Sequence, residues 1–162
     1  MTDNLKPIDY SAVPSPSYVV DERLLVKNLE ILDSVQQRTG AHILLAQKGF
    51  SMHALYPLVG KYLKGVTSSS LFEARLGYEK MGKETHVYAP AYVDAEFDEM
   101  MKYSDHIVFN SFSQWNRFKD RVQSADKRIS CGIRVNPEYS EIEVPLYDPC
   151  YNYSRMGTTL DN

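Results

Sequence analysis

Ala41-His-Ile-Leu-Leu-Ala-Gln-Lys-Gly-Phe50 decides the fold of this 162-residue chain. Four apolar residues, Ile43 to Ala46, form a short run bounded by polar positions, the signature of a buried strand. The run ends in a lysine, Lys48, followed by Gly49 and a helix start at Ser51. Most lysines are solvated strand ends or surface residues. A lysine at the C-terminal end of a buried strand can also be an amine nucleophile, and the surrounding chain has to separate the two readings.

Outward from this stretch the pattern repeats. Strand-like runs begin near His42, Lys64, Thr85, His106 and Arg128, about 20 to 23 residues apart. Helix-length segments lie between them at Met52–Tyr62, Leu71–Met81, Ala95–Tyr103 and Gln114–Val122, with Ser51, Ser70, Asp94 and Ser113 as expected N-caps. Upstream, Ser17–Val20 reads as a strand. A helix capped by Asp21 then carries Leu25, Leu29, Leu32 and Val35 on one stripe and stops at Gly40. Trp115, Phe118 and Val122 form a second stripe, read as core packing. Strand and helix alternating at this interval predict five βα units on a parallel sheet. Residues 1–16 read as a polar, proline-bearing leader and 17–162 as the domain. An open doubly wound sheet fits the length. A (β/α)₈ barrel needs roughly 250 residues, so the chain would be its first five-eighths.

Composition narrows the function. The net charge is -3, with no Lys/Arg run, which argues against nucleic acid as partner. No apolar run approaches the roughly 18 residues of a membrane span. The N-terminus lacks the basic start and apolar run of a signal peptide, so the expected setting is the cytoplasm. Cys131 and Cys150 have no metal spacing and read as free thiols. No two-histidine metal motif occurs. His42, His86 and His106 fall at strand starts and read as structural, so no metal is expected.

In a parallel βα sheet the site lies at the C-terminal ends of the strands. Lys48, Ser70, Tyr88, Asn110 and Arg134 occupy those ends here. Neither GxGxxG nor a Walker loop follows the first strand. A lone strand-end lysine points instead to Schiff-base chemistry, helped by a pKa lowered through burial and a nearby cation such as Arg134. Ser70-Leu-Phe-Glu73 fits a capping box, with Glu73 reaching back to the Ser70 N–H.

Several segments together carry a resemblance: Pro16–Val20, Ile43–Ser51, Thr67–Gly77, His86–Tyr92, His106–Gln114, Arg134–Pro137 and Ser154-Arg-Met-Gly157. They resemble the carboxynorspermidine (carboxyspermidine) decarboxylase family. These are fold-type III pyridoxal phosphate (PLP) enzymes, of the alanine racemase and ornithine decarboxylase type. The resemblance implies the N-terminal portion of a PLP-binding (β/α)₈ TIM barrel, with the family's C-terminal β domain absent. It also implies decarboxylation of carboxynorspermidine or carboxyspermidine to norspermidine or spermidine in polyamine biosynthesis, by a homodimer.

Position by position, Lys48 matches the lysine that forms the Schiff base with the cofactor. Arg134 matches an arginine beside the cofactor ring, and Glu73 and Ser70 fall on further cofactor-binding positions. Arg155 and Asn110 fall on substrate-binding positions. Gln47 and Met156 depart from the family pattern, with Gln47 standing where an apolar residue is usual. Glu141, Glu143 and Asp148 are candidate partners for the cationic substrate tail. The family's phosphate-binding turn and its acid at the pyridine nitrogen fall beyond Asn162, so the polypeptide is expected to be a fragment inactive alone. Alternatives that remain open are a non-catalytic PLP-binding barrel of cofactor homeostasis and an open-sheet α/β binding domain.

Overall fold

A computed structural model describes residues 7–160. The segment expected as a leader therefore lies partly outside the described residues. From Pro7 to Val20 the chain forms one 3₁₀ turn, Tyr10–Ala12, and no strand. The expected strand Ser17–Val20 is absent, and Tyr18 is almost fully exposed. An extended segment becomes a strand only with a partner ladder, and none of the described strands pairs with it.

Helix α1 (Glu22–Thr39) starts on the Asp21 side chain, which accepts the Arg23 N–H, and stops at Gly40 in the left-handed region at φ 71°. Its buried face centres on Leu29, with Leu25 beside it. Leu32, expected on that stripe, is turned to solvent and Gln36 is buried instead. The Gln36 amide donates to the Tyr62 carbonyl at 2.7 Å and accepts the Ile43 N–H at 2.9 Å. One side chain thus satisfies two backbone groups where α1 meets the first strand.

The five expected strands are present: β1 (Leu44–Ala46), β2 (Gly65–Ser68), β3 (Glu84–Tyr88), β4 (His106–Phe109) and β5 (Ser130–Ile133). All pairs are parallel, and the sheet order is the chain order. The connecting helices are α2 (Tyr56–Val59), α3 (Leu71–Lys80), α4 (Asp94–Tyr103) and α5 (Phe112–Gln123). Helix α2 is shorter than the expected 52–62. Pro57 has no N–H to give to His53, so the preceding turn, His53–Leu55, stays 3₁₀. Two caps also move. Ser111 rather than Ser113 caps α5, accepting the Gln114 N–H, and Asp94 is the first residue of α4 rather than its cap.

Period-two alternation divides the sheet into two faces. Leu45, Val66, Thr85, Val87, Ile107, Phe109 and Ile133 share the face that the helices cover. There Phe97 stacks on Phe118 with centroids 4.0 Å apart, and Tyr92 meets Phe97, Phe109 and Phe118 edge-on. Each such buried side chain contributes about 1.5–3 kcal/mol. The stripe Trp115, Phe118 and Val122 packs here, as its spacing predicts.

The other face carries no helix. It presents Thr67, Glu84, His86, Tyr88, His106, Val108, Ser130 and Gly132. A doubly wound sheet reverses its strand order and covers both faces. Sequential order with helices on one side is instead the wall of a barrel. Among the described residues, β1 and β5 each leave one edge unpaired.

Candidate active site

Past the end of β1 the chain turns sharply. The N–H groups of Gly49 and Phe50 both donate to the Ala46 carbonyl, at 3.0 and 3.1 Å. Two successive side chains take opposite directions at this turn. Gln47 is fully buried, and Lys48 is exposed at the apex. The Gln47 amide nitrogen donates to Ser68 Oγ at 2.7 Å and to the Glu73 carbonyl at 2.8 Å, while its oxygen accepts from Tyr56 Oη at 3.2 Å. The helix behind it makes room at Gly77, where a Cβ would come within 3.1 Å of that amide and 2.3 Å of a Val66 methyl. Gln47 therefore locks the end of β1 to β2 and α3, and the lysine projects from a fixed base. Sequence reading marked Gln47 only as a departure from the family. Its signal was a polar residue continuing a buried run.

Lys48 is exposed, and among the described residues no helix covers the open face of the sheet. Arg134 follows β5, at the opposite edge of the sheet from β1. Strand ends can be read from sequence, but the lateral distance between them depends on sheet order and closure. Among the described residues no carboxylate or carbonyl holds Lys48 Nζ.

Ser70 and Glu73 form a cap, displaced by one residue from the expected box. Ser70 Oγ accepts the Glu73 N–H at 3.2 Å, and the Glu73 carboxylate accepts the Ser69 N–H at 2.6 Å. No ion pair joins Glu73 to Arg134 among the described residues.

At the ends of β3 to β5 a second group assembles around Asn110. Its Oδ1 accepts from Tyr88 Oη and from the Gly157 N–H, both at 2.7 Å, and its Nδ2 donates to the Arg155 carbonyl at 2.8 Å. The Arg134 guanidinium lies over the Tyr88 ring, 4.8 Å from the centroid. The chain from Ser154 to Thr158 is thereby clamped across the strand ends. The Thr158 N–H donates to the Arg134 carbonyl at 2.9 Å, and the Asn136 N–H to the Thr158 carbonyl at 2.7 Å. Gly157 sits at φ 86°, and a Cβ there would meet the backbone of Arg134, Val135 and Asn136 at 2.9–3.1 Å. Asn110, expected on the substrate, acts here as the clamp. Arg155 is held by its backbone, and its side chain is exposed. Tyr88 was legible only as a strand-end hydroxyl.

Beside the clamp, an open cleft of about 700 Å³ is lined by Leu146, Tyr147, Asp148, Tyr151, Tyr153 and Arg155, among others. Of the three candidate acids, Asp148 lines this cleft. Glu141 is engaged by the Tyr139 hydroxyl at 3.0 Å.

At the N-terminal ends of β3 and β4 two of the strand-start histidines meet. Register sets His86 opposite His106, and their rings stack 3.8 Å apart. Glu84 Oε2 lies 3.3 Å from His86 Nε2 and 3.4 Å from His42 Nδ1. Burial, with the charge of His106 adding to it, pushes His86 below the ordinary imidazole range against the pull of Glu84.

The chain is similar to known proteins over most of its length. It is 41% identical over 147 residues to carboxyaminopropylagmatine decarboxylase of Synechocystis, covering 91% of this chain and 38% of that protein. It is 43% identical over 148 residues to the carboxynorspermidine/carboxyspermidine decarboxylase of Campylobacter jejuni, with the same coverage. The carboxynorspermidine/carboxyspermidine decarboxylase of Herminiimonas arsenicoxydans is 41% identical over 145 residues. The crystal structure of carboxynorspermidine decarboxylase complexed with norspermidine, from Campylobacter jejuni, superposes with a TM-score of 0.80 at 40% identity, over 91% of this chain and 36% of that one. A diaminopimelate decarboxylase structure superposes at 0.63 and 14% identity, over 86% of this chain and 33% of that one, a likeness of fold alone. No family model matches. The expected barrel wall is borne out by these superpositions. The chain spans under two-fifths of the length of the curated relatives it matches.

Proposed function

We propose that this chain supplies the lysine-bearing part of the active site of a pyridoxal phosphate-dependent decarboxylase. Its substrates would be carboxynorspermidine or carboxyspermidine, and its products norspermidine or spermidine. The observation that carries the reading is Lys48. It stands exposed and unpaired at the end of β1 on a base fixed by Gln47, in a fold similar over 91% of the chain to a carboxynorspermidine decarboxylase.

The residues present fit the cofactor. Lys48 would hold its aldehyde carbon. Ser70 and the free N–H groups at the start of α3 offer donors to anionic oxygens. Arg134, held over Tyr88, offers a cation at the far wall, and Glu73 fixes the loop at Ser69 between them. When bound, pyridoxal phosphate supplies a conjugated ring that accepts the electron pair left as carbon dioxide departs.

The chain's own groups then act on the substrate. Lys48 would hold the cofactor from the end of β1, where its amine could also carry a proton. Asn110 keeps the Ser154–Thr158 segment across the mouth. The cleft offers Tyr147, Tyr151 and Tyr153 to a polyamine tail, since aromatic faces attract ammonium groups, while Asp148 and Arg155 set opposite charges on its wall. A homodimer working in the cytoplasm belongs to the same proposal. In agreement with a location outside the bilayer, no described helix is long and apolar enough to cross a membrane.

The test is Lys48→Ala in the full-length protein. The expected result is loss of both the visible absorption of lysine-bound cofactor and carbon dioxide release. A variant that keeps both would overturn the proposal.

A further inference from the structure

The end of the sheet opposite Lys48 carries a group of side chains with no part in that chemistry. Glu84 and His86 are two residues apart on β3, so both point to the open face. The β3–β4 register places His106 beside His86, and residues Ala46, Thr67, His86, His106 and Ser130 form one continuous row across all five strands. His42 enters from the residues just before β1. Three potential ligands, Glu84, His86 and His106, thus come together on one face from β3 and β4, while His42 reaches Glu84 alone.

The distances suit a cation. Zinc binds imidazole nitrogen at about 2.0–2.1 Å and carboxylate oxygen at about 2.0–2.2 Å, which makes the edge of a tetrahedral site roughly 3.4 Å. Glu84 Oε2 lies 3.3 Å from His86 Nε2 and 3.4 Å from His42 Nδ1. The donor atoms of Glu84, His86 and His106 all fall within 4.8 Å of one another. The His86 and His106 rings stack nearly parallel, so one of them rotates to bring both nitrogens onto a common ion, and the three groups are only half-buried, so an ion has access. Two imidazoles with one carboxylate favour a borderline first-row ion over Mg²⁺ or Ca²⁺, which take oxygen ligands.

We propose that Glu84, His86 and His106 form a binding site for one divalent ion of the zinc class, with water completing its coordination. The ion ties β3 to β4 at the N-terminal ends of these two strands. Its role is structural, because the site is held by strands rather than by mobile loops.

The test uses the full-length protein after treatment with a chelator, titrated with Co²⁺ followed by Zn²⁺. The expected result is uptake of one Co²⁺ with visible d–d absorption, its displacement by Zn²⁺, and a rise in melting temperature when Zn²⁺ is bound. Glu84→Gln and His106→Gln should each weaken binding at least tenfold. His53→Gln, in the 3₁₀ turn before α2, should leave it unchanged. Chemical modification of the wild-type chain gives an independent reading: bound Zn²⁺ should protect His86 and His106 from diethyl pyrocarbonate but not His53. Failure of the wild-type chain to take up one equivalent overturns the proposal. So does equal modification of all its histidines with and without Zn²⁺, or binding that Glu84→Gln and His106→Gln leave within twofold.

Discussion

Gln47 offers a quantitative test of how the lysine turn is built. Gln47→Ala removes three side-chain hydrogen bonds, to Ser68 Oγ, the Glu73 carbonyl and Tyr56 Oη, from a fully buried site. At about 1 kcal/mol each these contribute roughly 3 kcal/mol. The vacated volume adds about 1 kcal/mol, for a total near 4 kcal/mol. Gln47→Met keeps most of the volume and places an apolar chain beside the same donors and acceptors. Tyr56 Oη retains the Phe50 carbonyl, 3.2 Å away, but Ser68 Oγ loses its donor, so about 2–3 kcal/mol is expected. Equilibrium urea unfolding reads both. With a slope near 2 kcal/mol per molar, the alanine variant should unfold about 2 M earlier and the methionine variant about 1 M earlier. A methionine variant within about 0.5 kcal/mol of the parent would refute the hydrogen-bond argument, leaving packing alone as the function of this residue.

Two further outcomes follow from particular atoms. Gly157→Ala forces a side chain into the left-handed region against three backbone atoms, so a loss of at least about 1–2 kcal/mol is expected; a melting temperature equal to the parent's would contradict the packing of that segment. For His86 the folded pKa lies below the unfolded value of about 6.5, so the unfolded chain binds more protons just below that pH. In chelator-containing buffer its contribution is complete above pH 6.5 and is lost as pH falls. The urea midpoint should therefore drop from pH 7.5 to pH 5, with a shallower drop in His86→Gln, and identical slopes in the two proteins would show that His86 is not the group responsible.

Five strands and four connecting helices were legible, although no α-helix follows β5 to complete the fifth expected unit, because a strand buried on the helix side leaves its period in the sequence. Ser70, Asp21 and Gly40 were legible as caps because capping is local chemistry. Ser113 was misread for Ser111 because both hydroxyls lie within reach of the same helix start, and backbone conformation chooses between them. Ser17–Val20 was misread because a strand needs a partner and a sequence does not display one. The same limit governed the site. Lys48, Asn110 and Arg134 were correctly set at strand ends, yet their separation follows from sheet order. Asn110 and Gly157 meet across 47 residues, a contact that no local pattern announces. The histidine row was hidden for the same reason, since His86 and His106 become neighbours only through the parallel register.

The Asn110 clamp also bears on the order in which the chain assembles. Neighbouring strands pair residues about 20 positions apart, so each unit can add to the last after closing a short loop. The contacts of Asn110 with Arg155 and Gly157 close loops more than twice as long, and they require β3, β4 and β5 to be in place first. The mouth of the site is then the last part to form and the first to open. Gly157→Ala should accordingly speed unfolding while leaving the folding rate nearly unchanged.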